Sequence, residues 1–215
     1  MMMYIVRHGE TDWNRWRRVQ GHKDIPLNDY GRHLAEQTAE GMKTIRIDMA
    51  YTSPLSRAKE TAQIILAGRA VPLIDEERIK ELGFGSYEGL CCSGAHREPG
   101  SDEFNHFFTD TKNYVPPKDG ETIQELYERT GSFLREMCQR EEELKDKNIL
   151  VSTHGAAMNA LLNRIKGNLS VEEFWREEVP PNCAVTIVEI KDGKMTIARE
   201  GVIFHKEKVR KWKAV

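Results

Sequence analysis

Asn148-Ile149-Leu150-Val151-Ser152, followed at once by Thr153-His154-Gly155 and a helix-like stretch through Ile165, decides the class of this chain. A short apolar run that breaks at a glycine turn and passes into a helix reads as a buried strand with its following helix. The same pattern opens the chain, where Met2 to Val6 runs into Arg7-His8-Gly9-Glu10. Between them, Met49 to Thr52 is a second short strand. Ser53-Pro54 then offers an N-cap and a first-turn proline for a helix from Leu55 to about Leu66. Val71 to Ile74, between Gly68 and an acidic turn, is a third strand.

Working outward, Asn28 can cap a helix over about Gly31 to Ile45. Thr122 and Glu125 have capping-box spacing and open a long charged helix to about Lys145. Ser170 and Glu173 repeat that spacing over a short helix. Cys183 to Ile190 and Lys194 to Glu200 flank the hairpin signal Lys191-Asp192-Gly193. Strands alternating with helices predict an α/β fold, a three-layer sandwich with a mostly parallel central sheet and an antiparallel edge. Only Cys91 to Pro117, rich in Gly, Pro, Ser and aromatics (Phe104, Phe107, Phe108, Tyr114), breaks the rhythm. It reads as a small cap insertion at about 91–117 in one domain spanning 1–215.

At 215 residues a domain buries roughly 70 % of its unfolded surface and needs neither disulfides nor a structural metal to fold. The net charge of -2 gives no general attraction to nucleic acid or anionic membrane, so any anion affinity must be local. The apolar start is too short for a signal-peptide core and no stretch is long enough to span a membrane. A cytoplasmic location is expected, with Cys91, Cys92, Cys138 and Cys183 as free thiols.

Ligands of open α/β sheets sit beyond the carboxyl ends of the strands. Those ends deliver Arg7 and His8 after the first strand, Arg57 past the second, Glu81 after the third and His154 after the fourth. A phosphoryl group in transfer carries its charge on three equatorial oxygens, which suits forked arginines. Arg7, Arg57 and a protonated His154 would supply positive charge without a metal. His8 could attack phosphorus with one neutral nitrogen if the other donates its proton and fixes the tautomer. Gly9 would allow close backbone approach. Glu81, held protonated by burial and a dianionic substrate, could donate to the leaving oxygen and later activate water. A metal site of His8, His154 and Glu81 is the rival chemistry, opposed by the cations Arg7 and Arg57.

These residues carry a resemblance. Arg7-His8-Gly9-Glu10-Thr11, Trp13-Asn14, Arg18, Gln20-Gly21, Asp24, Pro26-Leu27 and Gly31 resemble the opening signature of the histidine phosphatase superfamily. The branch is that of the cofactor-dependent phosphoglycerate mutases. Ser53-Pro54-Leu55, Arg57-Ala58, Thr61-Ala62, Glu81, Gly85, Glu88-Gly89, Gly120-Glu121-Thr122, Arg129, Ser152-Thr153-His154-Gly155 and Asn182-Cys183-Ala184 follow in family order. The resemblance implies that His8 is phosphorylated during turnover and that Glu81 is the proton donor. It implies a phosphate pocket of Arg7, Asn14, Arg57 and His154, with the Gln20-Gly21 and Gly155-Ala156 backbones nearby. In the acid-phosphatase branch the acid is an Asp directly after the second His. Here Gly155 stands there, which favours Glu81.

The expectation is a metal-independent phosphatase acting on small phosphomonoesters through a phosphohistidine on His8, with no cofactor. A cofactor-dependent phosphoglycerate mutase is the alternative, and a non-catalytic phospho-ligand-binding protein a more distant one. Mutases of the family carry a longer, more basic middle insertion, whereas Cys91 to Pro117 holds only Arg97 and Lys112 as permanent cations. Its aromatics suggest an apolar or mixed leaving group. Sugar phosphates, nucleotides, the nucleoside phosphate of cobalamin-loop assembly, and aryl or acyl phosphates all stay open. The partner is thus a phosphorylated small molecule, with no nucleic acid or membrane, and a homodimer is left open.

His22 and His33 read as surface or supporting residues, and His96 and His106 as cap residues that could reach substrate. Arg15, Arg17 and Arg18, with Trp13 and Trp16, could bind a second anionic group or be a solvated face. The basic run Lys206, Lys208, Arg210, Lys211 and Lys213 with Trp212 hints at nucleic acid but reads better as a solvated tail.

Overall fold

Alternation along two central strands sets the layers. In β1 (Met2–Arg7), Met3 and Ile5 face one core while Met2, Tyr4 and Val6 face another. In β4 (Asn148–Thr153), Ile149 and Val151 join the first core and Leu150 the second. A strand apolar on both faces must be covered on both. The computed structural model describes residues 1–175 and 178–209 and shows that cover. The first core is roofed by α5 (Ile123–Gln139) and α6 (Gly155–Ile165), through Phe133, Met137, Met158 and Leu161. The second lies under α3 (Ser56–Ile65), through Ala62 and Ile65. The helix α2 (Asp29–Gly41), which follows the single-turn α1 (Asp12–Arg15), packs beside α3 with Leu34 and Ala35 against Ile64.

The six-stranded sheet runs β3-β2-β4-β1-β5-β6. β2 (Met49–Thr52), β3 (Leu73–Asp75), β4 and β1 pair in parallel, and β5 (Val185–Lys191) and β6 (Lys194–Val202) add the antiparallel edge. The expected α/β sandwich is therefore the observed one. The β5–β6 hairpin turns on Asp192 and Gly193, with φ of 53° and 70°. Those two left-handed residues are what a tight two-residue hairpin needs.

Several boundaries differ from expectation. The Asn28 side chain caps α2 at the Gly31 N–H (2.8 Å), but the helix begins at Asp29 and ends at Gly41 rather than near Ile45. A Cβ at Gly41 would stand 2.5 Å from the Phe204 carbonyl, so the chain turns away where α2 meets the C-terminal segment. The capping box of Thr122 and Glu125 forms, yet α5 stops at Gln139, short of Lys145. Ser53 is not an N-cap: α3 starts at Ser56, and the Ser53 hydroxyl is held by His154. β3 lies one to two residues later than Val71 to Ile74.

Ser170 and Glu173 open no helix among the described residues. Ser170 Oγ does accept the Glu173 N–H (3.3 Å), but Asn159 and Asn163 hold the Phe174 carbonyl that a helix would need. Residues 91–117 are more regular than their composition suggests, since they hold α4 (Ser101–Thr109). Phe104, Phe107, Tyr114 and Phe174 pack there with Phe84 against the N-terminal parts of α5 and α6. Among the described residues no helix is long and apolar enough to cross a membrane, and all four cysteines are free. Of the basic run, Lys206 and Lys208 are exposed, and Arg210 onward lies outside the described residues.

Candidate active site

Because β2, β4 and β1 are neighbours running in parallel, the residues that follow them emerge side by side. Their side chains meet in a cavity of about 570 Å³, open mouth included. Its floor is Arg7, His8, Asn14, Gln20, Gly21, Arg57, Glu81, Gly155 and Ala156. Every expected site residue except His154 lines it.

His8 is buried, and its backbone N–H is held by the Thr153 carbonyl (2.9 Å). Its Nδ1 lies 2.6 Å from the Gly9 carbonyl, which accepts only, so Nδ1 carries the proton and Nε2 keeps its lone pair. Burial first, then the Arg57 and Arg7 guanidiniums, push its pKa well below the usual value, so the ring is neutral. Gly9 does not serve backbone approach to a ligand. A Cβ there would fall 2.5 Å from the Gly31 carbonyl, so glycine is required for α2 to pack on the loop.

Arg7 donates through Nη1 to the Pro180 carbonyl, while its buried Nε has no protein partner. Arg57 is fully buried. Its Nη1 and Nη2 hold the Lys23 and Gly21 carbonyls (2.8 and 2.7 Å), and its Nε donates to His154 Nδ1 (3.1 Å). Burial lowers both arginines to about 10, which still leaves them cationic at neutral pH.

His154 departs from expectation. Since Nδ1 accepts from Arg57, the proton is on Nε2, which donates to Ser53 Oγ (2.7 Å). Burial and then Arg57 hold its pKa well below the usual value. It is thus neutral rather than protonated and stands behind the floor, its ring centroid 5.1 Å from that of His8.

Glu81 is half-buried, and its carboxylate accepts from the N–H groups of Leu82 (3.0 Å), Ala156 (3.2 Å) and Ala157 (3.0 Å). The last two belong to the first turn of α6, where backbone N–H groups favour negative charge. The carboxyl at rest is therefore an acceptor, and the Ala156 N–H is already engaged. Arg129 fixes the backbone leading into Glu81 by donating to the carbonyls of Arg78, Lys80 and Glu81 (2.8, 2.8 and 2.9 Å). His22 Nε2 meets the same Glu81 carbonyl (2.8 Å). Glu88 pins the opposite loop through the N–H groups of His22, Lys23 and Phe84.

The remaining wall is apolar: Val19, Phe84, Cys92, Phe104, Phe107, Phe108 and Val179, with Arg18 at the rim. Burial pushes the Cys92 thiol up to about 11, which keeps it protonated and a poor nucleophile. The cap histidines do not reach this cavity. His106 is exposed, and His96 lines a neighbouring hollow. His33 pairs with Glu207 (2.9 Å) on α2. Sequence reading missed Val19, Phe84 and Val179 as lining residues and Ser53 as the partner of His154. Arg129 and Glu88 were visible only as matches to a family pattern, without a task.

The profile of the histidine phosphatase superfamily (branch 1) matches residues 3–202. Phosphoglycerate mutase-like protein 4 of Arabidopsis thaliana is 34 % identical over 94 % of this chain and 86 % of its own. The metal-independent phosphoserine phosphatase of the same plant is 32 % identical over 90 % and 78 %. Among solved structures, YhfR of Bacillus stearothermophilus superposes with a TM-score of 0.82 at 30 % identity, covering 93 % of this chain and 96 % of that one. With paired strand-end histidines, two buried arginines and a glutamate held at the start of α6 in family order, the chain is an enzyme of the histidine phosphatase type, the class that hydrolyses phosphoric monoesters, and it belongs to branch 1 of the histidine phosphatase superfamily.

Proposed function

We propose that this protein is a metal-independent phosphomonoester hydrolase that works through a phosphohistidine on His8. One observation carries the reading: His8 lines the cavity as a neutral ring with its proton locked on Nδ1, beside two buried guanidiniums. The ester's phosphoryl oxygens lie against Arg7, Asn14 and Arg57, and the partnerless Arg7 Nε is a donor ready for one of them. His8 Nε2 forms the P–N bond as the P–O ester bond breaks. Glu81 gives a proton to the leaving oxygen as the general acid. Water then attacks the phosphohistidine, Glu81 takes its proton, and phosphate leaves with His8 restored. His154 acts from behind, orienting Arg57 through Nδ1 while Ser53 anchors its other nitrogen.

The apolar wall favours hydrolysis over mutase action. Arg18 is the one cation among its described residues, whereas a mutase must hold a second phosphate and exclude water. We read the chain as one domain over 1–215 with residues 91–117 as its cap. Four free thiols suit a cytoplasmic location.

The test is phosphate release in EDTA from a panel of phosphomonoesters that includes 3-phosphoglycerate, with and without the bisphosphoglycerate cofactor. Release without added metal is expected. Formation of 2-phosphoglycerate that depends on the bisphosphate would overturn the reading in favour of a mutase.

A further inference from the structure

Beside the catalytic cavity, and sharing Arg18 with it, lies a second hollow that the chemistry above does not use. It is framed by residues 15–18 and 91–96 and lined by Arg15, Trp16, Arg17, Arg18, Ser93 and His96 among others, none of the described lining residues being acidic. The frame is tied together. The Cys92 N–H donates to the Arg17 carbonyl (3.1 Å), Arg18 and Cys91 form an isolated β-bridge, and Cys91 Sγ contacts the Trp16 carbonyl (3.5 Å). Arg17 takes a left-handed φ of 59° there, a conformation a non-glycine residue adopts only when its surroundings impose it.

We propose that this hollow is a second anion subsite, which takes a negatively charged group at the far end of the substrate's leaving group. The proposal rests on the hydrolase reading and names its substrate class: phosphomonoesters whose alcohol portion carries an anion beyond an apolar stretch. The apolar stretch lies along the aromatic wall, and Arg18 lines both spaces. Its guanidinium is held by the Gly89 carbonyl and by Glu98 (3.0 Å), with about a third of the Arg18 side chain exposed. An ion pair this exposed is weak enough for an incoming carboxylate to replace Glu98. Arg15 is exposed at the mouth, and the uncovered indole of Trp16 adds a flat apolar face. A merely solvated basic stretch would have no reason to share a wall with the catalytic cavity.

The test measures phosphate release from ω-carboxyalkyl phosphates of increasing length against n-alkyl phosphates of equal length. At one length kcat/KM should favour the carboxylate by about fivefold, mostly through KM, and added salt should erode the preference. Glu98→Gln, which removes the resident counter-ion, should raise the ratio, and Arg15→Glu should bring it to one or below. Turnover of both series with no preferred length, or a preference that neither substitution moves, overturns the subsite and leaves the hydrolase standing. No turnover of any ester would overturn the hydrolase reading, and this proposal with it.

Discussion

The floor and the cap of the cavity are built on opposite principles. On the floor the polar side chains are fixed by directional bonds: His8 to Gly9, Arg57 to Gly21 and Lys23, Glu81 to the first turn of α6. In the cap Phe104, Phe107, Phe108 and Trp175 meet edge-on or tilted, with ring centroids 4.9 to 6.1 Å apart. Ring packing of that kind tolerates rearrangement where a bidentate arginine does not. On the proposed function, the floor would define the reaction and the cap the range of esters admitted.

Substitutions can break that division. His8→Ala should lower phosphate release by about 10⁴-fold or more on every ester, with circular dichroism still reporting a folded protein. A folded variant of normal activity would remove His8 from the chemistry. Glu81→Gln should cost about 10² to 10⁴-fold on alkyl phosphates and less than about tenfold on p-nitrophenyl phosphate, whose leaving group barely needs a proton. Equal losses on both would show that Glu81 is not the acid.

Acid should attack the floor before the cap. His8 and His154 are buried neutral with lowered pKa values, while in the unfolded chain they protonate near 6.5. Below about pH 6.5 the unfolded state therefore binds more protons, and stability falls as pH falls toward the native values. Each histidine adds a slope of up to about 1.4 kcal/mol per pH unit. Urea midpoints should drop between about pH 7 and pH 5, and a flat profile would contradict the buried neutral pair. The smallest effect belongs to the cap: Phe108→Ala should lower the ratio of aryl to alkyl phosphate turnover by about tenfold. A uniform loss on both classes would instead make Phe108 part of the floor's machinery.

The same contrast explains what could be read from the chain alone. Strands β1, β2 and β4 were legible because short apolar runs stop at His8, Ser53 and His154, and topology then gathers whatever follows parallel neighbours. The roles of Ser53 and His154 were not legible, because a serine before a proline looks like a helix cap until its hydroxyl is seen to meet a histidine 101 residues away. The setting of Glu81 was hidden for a related reason: which N–H groups reach its carboxylate depends on where α6 begins in space. The cap's composition showed a lid of rings but not α4, since local polarity hid the helical face.

The order of the strands also has a consequence for how the protein is made. β1, which carries His8, pairs on one side with β4 and on the other with β5. This strand is thus flanked by two that follow it late in the chain. At ribosomal speeds of about 5 to 20 residues per second, its apolar faces wait on the order of ten seconds for their partners. During that interval residues 2–7 form an unpaired edge of the kind that invites association between chains. Nascent copies of this protein should therefore be most vulnerable before β4 emerges, and should gain the pocket around His8 only after it.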